Sequence, residues 1–154
     1  MICMGIDPAW GKKCAFAFTD GQKVFRIGYL KSGKDPVPFF LDEHIQGIHP
    51  DVILIEAGYT KNRTVCHMMD RTGGMILEAA RRSTFCERVP TIFVDPTTWM
   101  SSYKMYRMRR ETMNPIIIRT ARYYYGDLKD KEDDLACAIL ISLYGARHYD
   151  GVKL

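Results

Sequence analysis

Apolar and polar positions follow two rhythms along this chain. Short, nearly unbroken apolar runs occupy Ile2–Ile6, Cys14–Thr19, Lys23–Leu30, Val52–Ile55 and Thr91–Val94. Such β-rich runs, bounded by Gly, Pro or Asp, mark strands. Asp20-Gly21 between the second and third runs is a hairpin signal. Val52–Ile55 holds no polar residue, as a central strand covered on both faces requires. A different rhythm begins at Asn62. Up to Arg82, residues Val65, Met68, Met69, Thr72, Met75, Ile76, Ala79 and Ala80 recur at helical spacing, with Lys61, Arg63, His67, Arg71, Arg81 and Arg82 on the other side. Further helices are predicted over Phe39–Gly47, Arg110–Tyr125 and Lys131–Arg147. Asp95-Pro96 reads as an N-cap followed by proline at the first helical position. Gly73-Gly74 costs roughly 1 kcal/mol per glycine relative to alanine in mid-helix, so close packing against another backbone is expected there.

The order is three strands with a hairpin, then helix, strand, helix, strand and closing helices, which describes an α/β architecture with a mixed sheet. The 154 residues contain no repeat, low-complexity tract or linker, so one domain over residues 1–154 is expected. Hydrophobic residues at 47% and charged residues at 26% are ordinary for a globular protein. No apolar run approaches the roughly 18–20 residues of a membrane span. Asp7, Pro8 and Gly11 also interrupt the start before the apolar core of a secretory signal can form. A cytoplasmic protein with no membrane partner is the expectation.

Cysteine usage agrees with a reducing compartment. Cys3, Cys14, Cys66, Cys86 and Cys137 form no C-x-x-C pair, which argues against a zinc site and a disulfide framework. Cys3, Cys14 and Cys137 sit in apolar runs as small core residues. The net charge of +4 says little, but its distribution says more. Between Lys104 and Arg122 the bases Lys104, Arg107, Arg109, Arg110, Arg119 and Arg122 face Glu111 as the sole acid. A phosphate-backbone partner explains that patch, and so does a solvated helix face. His44, His49 and His148 lack ligand partners at useful spacing and read as surface residues, while Tyr123, Tyr124 and Tyr125 read as packing for the penultimate helix.

The acids carry the chemistry. Asp7 closes the first strand and Glu56 closes the central one, and ligands of open α/β sheets gather beyond strand ends. Asp130, Glu132, Asp133 and Asp134 open the last helix, where Asp130 shares a helical face with Asp133 or Asp134. Taken alone, these acids serve the helix macrodipole as readily, with Asp130 as N-cap. Together with Asp7 and Glu56 they form an acidic set whose repulsion a cation must neutralise, and hard oxygen donors suit Mg²⁺ or Mn²⁺.

The segments Gly5-Ile6-Asp7-Pro8, Ile53-Leu54-Ile55-Glu56 and 130–138, which reads D-K-E-D-D-L-A-C-A, resemble the three acidic motifs of the RuvC family. That family comprises Holliday junction resolvases of bacteria and phages. The resemblance implies an RNase H-like mixed five-stranded sheet flanked by helices. It also implies Asp7, Glu56, Asp130 and Asp133 as catalytic ligands of two Mg²⁺ ions, with Mn²⁺ as a substitute. Asp134 stands where the family has a small residue and rivals Asp133. Tyr59 matches an aromatic position near the junction centre, with a packing tyrosine as the alternative. Thr97-Thr98-Trp99-Met100 replaces a stretch where the family often has lysine, leaving Lys104, Arg107, Arg109 and Arg110 for phosphate contacts beside Lys61 and Arg63. The G-I-D-P motif also resembles the first phosphate loop of actin-like ATPases, but this chain is too short for their second nucleotide-binding half.

The expected activity is paired hydrolysis of a four-way junction by a homodimer, leaving 5′-phosphate and 3′-hydroxyl ends. In that scheme one ion activates a water and the other stabilises the leaving oxygen. Other branched DNA, flaps, RNA–DNA hybrids, or an inactive DNA-binding module are the alternatives.

Overall fold

The computed structural model describes residues 1–9, 13–30, 44–45, 47–58, 63–105 and 107–149. Strands β1 (Cys3–Asp7), β2 (Cys14–Thr19), β3 (Val24–Leu30), β4 (Val52–Glu56) and β5 (Thr91–Val94) form one sheet in the order β3-β2-β1-β4-β5. β1 to β3 are antiparallel neighbours, whereas β4 runs parallel to both β1 and β5. The helices with described bounds are α1 (Arg63–Arg82), α2 (Pro96–Ser102), α3 (Arg110–Tyr124) and α4 (Asp133–His148). This is the mixed five-stranded α/β architecture expected. The hairpin turns at Gly21, whose φ of 92° suits glycine, while the Asp20 carboxylate accepts from the backbone N–H of Gln22 and Lys23. Of the helix predicted over Phe39–Gly47, His44 and Ile45 are helical, and 39–43 and 46 lie outside the described residues.

Strand alternation divides the core in two. Met4, Ile6, Phe16, Phe18, Ile53 and Ile55 pack with Ile76, Ala79 and Ala80 of α1. Cys3, Ala15, Ala17, Val52 and Leu54 pack with Trp99, Ile117, Ala121 and the apolar body of α4. α4 is buried from Leu135 through Ala146 apart from half-buried Cys137, because the sheet covers one side and α2 and α3 the other. It crosses β1 at almost backbone contact. A Cβ on Gly5 would meet Ala138 O at 2.5 Å and Ser142 Cα at 2.8 Å.

Four expectations need correction. The apolar stripe of α1 does not begin at Val65, which is exposed, and Met68 and Met69 are only half-buried. α1 meets the end of β4 at Gly73, beside Ile55, so its earlier turns overhang the sheet. The glycine pair also does not pack on backbone: Gly73 lies against the Phe93 ring, and Gly74 faces open space. The last helix starts at Asp133, two residues later than predicted. Tyr123 is exposed, whereas Tyr124 and Tyr125 pack as expected. Among the described residues, no helix is long and apolar enough to cross a membrane.

Candidate active site

Parallel pairing of β1 with β4 sets Ile6 opposite Ile55, so the next residue on each strand places Asp7 beside Glu56. Alternation turns both side chains to the face of Cys3, Gly5, Val52 and Leu54, which α4 covers. The two carboxyls lie close together at the carboxyl ends of the strands, each perturbing the other. Glu56 is buried and Asp7 half-buried. Burial pushes Asp7 well above the usual carboxylate range, and the negative charge of Glu56 and the charges of Asp134 and Asp133 push it further. Burial also raises Glu56, against the side chain of Asp7 and a hydrogen bond from the Trp99 indole.

The start of α4 supplies the next acids. Asp133 Oδ2 accepts from Asn114 Nδ2 at 2.9 Å, and the Arg110 guanidinium stands 3.9 Å from the same oxygen. Asp134 is half-buried, and its charge acts on Asp7. Asp130 has different surroundings. It precedes the helix, its side chain is 88% exposed, and it accepts from Arg122 Nη2 at 2.6 Å. The N-cap position belongs to Glu132, without a side-chain cap bond. Asp133 and Asp134 thus lie near enough to Asp7 and Glu56 for their charges to act on Asp7, whereas Asp130 is an exposed partner of Arg122. The shared helical face expected for Asp130 and Asp133 is lost because the helix has not begun at Asp130.

Of the basic residues, Arg110 stands beside these acids. Lys104, Arg107 and Arg109 are exposed between α2 and α3, and exposed Arg110 opens α3. Lys104 and Arg107 adopt left-handed backbone angles, with φ of 59° and 68°. Exposed Arg63 is the first residue of α1, while Tyr59 and Lys61 lie outside the described residues. Sequence reasoning missed Trp99 and Asn114 as partners of the acids. Trp99 had a findable signal, since it stands one helical turn after the end of β5, the strand beside Glu56. Asn114 had only its polarity among the apolar residues of α3.

No protein-family model matches the chain, and no curated protein sequence does. Solved structures do. RuvC of Thermus thermophilus superposes with a TM-score of 0.70 at 15% identity, covering 97% of this chain and 96% of that one. The same organism's RuvC in complex with Holliday junction substrate gives 0.67 at 15% identity, over 95% and 93%. Fowlpox virus resolvase with Holliday junction DNA gives 0.59 at 14% identity, over 97% and 99%. The fold is that of the RuvC-type resolvases. At these identities the likeness is one of fold, and the chemistry has to be argued from this chain's own residues.

Those residues suit a hard divalent cation. Asp7 and Glu56 present carboxylate oxygens, the donors Mg²⁺ and Mn²⁺ take, and a cation would relieve the repulsion that burial intensifies. Among the described residues, no three Asp, Glu, His or Cys side chains converge into a finished cluster. The pair is therefore the nucleus of a site rather than a closed cage.

Proposed function

We propose that this chain is a divalent-metal-dependent endonuclease that cuts four-way DNA junctions, acting as a homodimer with one acidic site per protomer. The observation that carries the proposal is the contact between Asp7 and Glu56 at the ends of adjacent parallel strands, with the Arg110 guanidinium 3.9 Å from the neighbouring acid Asp133. A purely structural role does not account for that contact. A buried acid and a half-buried acid pressed together weaken a fold unless something positive is bound between them.

Asp7 and Glu56 would hold the metal, Mg²⁺ or Mn²⁺, with Asp133 and Asp134 at the start of α4 completing a site for up to two ions. A cation bound there supplies a water of lowered pKa and neutralises charge that builds on the phosphate. The chain's own work is binding and orientation. Lys104, Arg107 and Arg109 hold the DNA backbone, and Arg110 sets a phosphate at the edge of the acids. Arg63 extends the same track along α1, with Tyr59 and Lys61 between it and Glu56 in sequence. A four-way junction has two-fold symmetry, and a C₂ dimer presents two matched sites to it. Opposed cuts would leave 5′-phosphate and 3′-hydroxyl ends.

The test incubates the protein with end-labelled four-way junctions, flaps, forks and RNA–DNA hybrids, in Mg²⁺, Mn²⁺ or EDTA. Paired cuts in the junction, lost in EDTA and in Asp7→Asn, are the expected result. Equal cutting by wild type and Asp7→Asn would sink the proposal. Preferential cutting of flaps or hybrids would retain the nuclease and replace its substrate.

A further inference from the structure

Trp99 is fully buried, and its indole Nε1–H donates to Glu56 Oε1 at 3.2 Å. Many tryptophans fill cores, and Trp99 does pack among Leu54, Val94 and Leu140. Packing does not require its polar edge to end on an acid at a strand terminus. A buried indole N–H needs an acceptor, and here the acceptor is one oxygen of a carboxyl whose function is to bind. We propose that Trp99 is a positioning residue for Glu56, fixing Oε1 so that the rest of the carboxylate is presented to a divalent cation. The inference rests on the metal-dependent reading above and adds a residue to it.

The chemistry of the donor matters. An indole N–H is donor only and carries no charge. It orients the carboxylate without neutralising it, so the negative charge stays available to a cation. A lysine or arginine making the same contact would form an ion pair and compete with the metal.

The mounting is stiff. Asp95 caps α2, its Oδ1 accepting from the Thr97 N–H at 2.7 Å and from the Thr97 hydroxyl at 2.6 Å. The Tyr103 ring meets Trp99 edge-on at 6.4 Å, and its hydroxyl donates to Leu140 O at 3.0 Å. Through that contact α2 is tied to α4, the helix that brings Asp133 and Asp134. Partners of this kind, when removed, lower metal affinity by about 10–100-fold.

The experiment uses the full chain with Trp10→Phe, which leaves Trp99 as its single indole. First, the indole N–H resonance is followed by NMR while Mg²⁺ is titrated and its binding measured by calorimetry. The expected result is a resonance that shifts in step with binding. A resonance that stays still while Mg²⁺ binds overturns the inference. Second, Trp99 is replaced by 3-benzothienylalanine, which keeps the shape and has sulfur in place of the N–H. Mn²⁺ affinity, read by electron paramagnetic resonance, is expected to fall about 10–100-fold, with the circular dichroism spectrum retained. Unchanged affinity overturns the inference and leaves the metal-dependent reading intact. If the unsubstituted chain binds neither ion, that reading fails and the inference fails with it. Should the isostere prevent folding, the NMR titration decides alone.

Discussion

Replacing Gly5 by alanine inserts one methyl group between β1 and α4, where no side chain can yield. The added Cβ would lie 2.5 Å from Ala138 O and 2.8 Å from Ser142 Cα, with Ser142 N in contact as well, and all three are backbone atoms. Comfortable separation for such atoms is about 3.5 Å, so the helix must retreat by roughly 1 Å. Overpacking of a close-packed core costs about 1–3 kcal/mol, and a backbone on each side puts this position near the upper end. Loss of glycine's freedom in the unfolded chain returns about 0.4–1 kcal/mol. The net expectation is a destabilisation of about 2 kcal/mol. With a urea slope of about 1–3 kcal/mol/M for a small protein, the midpoint falls by about 1 M. Function should suffer more than stability. Gly5 lies two residues before Asp7 on the same face, and α4 begins with Asp133 and Asp134. A retreat of α4 parts those acids from Asp7, and a misplacement of about 1 Å costs on the order of 10²-fold in rate. Urea unfolding followed by circular dichroism, with junction cleavage measured where both proteins remain folded, provides the assay. A Gly5→Ala protein within about 0.5 kcal/mol of wild type, which is the scale of ordinary surface substitutions, would refute the close approach of α4 to β1.

Gly74→Ala should act in the opposite sense, raising stability by about 0.4–1 kcal/mol in the same assay, since Gly74 is helical and exposed, with nothing within 4 Å of its Cβ position. Asp7→Asn should raise the melting temperature in EDTA at pH 7–8 and lose that advantage as pH falls toward the ordinary carboxylate range. Burial raises the folded-state pKa of Asp7 above its unfolded value, so the protonated acid stabilises the fold at low pH and that stability is lost as pH rises through the folded pKa. Lys104→Gly should stabilise the protein by up to about 1 kcal/mol by relieving φ of 59°, while reducing the slope of log affinity for DNA against log salt by about 0.9 if Lys104 contacts a phosphate. Asp134→Asn should cost more cleavage activity than Asp130→Asn, because Asp130 already pairs with Arg122 at the surface; equal losses would count against the grouping of acids by position.

The sheet was legible because strand periodicity and burial carry the same information here. Val52–Ile55 is apolar throughout because both faces of β4 are covered. The pairing of Asp7 with Glu56 follows from two strand ends and parallel order. Helix termini were harder to read. A run such as D-K-E-D-D is compatible with a helix starting at several residues, and the difference between Lys131 and Asp133 decides which acids point inward. The stripe on α1 misled for another reason. Periodicity reports an amphipathic face but not where the opposing sheet stops, so Val65 matched the pattern and remained exposed. Trp99 and Asn114 acquire their roles from elements distant in the chain, and only the place of Trp99 one helical turn after β5 hinted at such a contact.

The partners of the acids separate them by charge. Glu56 receives its hydrogen bond from the indole of Trp99 and Asp133 from the amide of Asn114, both neutral donors. The Arg110 guanidinium stands 3.9 Å from Asp133 with its side chain 79% exposed, where water screens it. Asp130 is the opposite case, in direct contact with a guanidinium at 2.6 Å. A carboxylate already matched by arginine must give up that partner before it can bind a metal, whereas one held by an amide or an indole keeps its charge. Motif position alone groups Asp130 with Asp7, Glu56 and Asp133. The charge of the immediate partners groups Asp7, Glu56 and Asp133 with the start of α4 and assigns Asp130 to the surface. Arg122→Ala therefore separates the two groupings. If Asp130 is only a surface ion pair, its loss costs about 0–1 kcal/mol of stability and leaves metal affinity unchanged. If Asp130 is a ligand restrained by Arg122, the same substitution releases it and metal affinity rises.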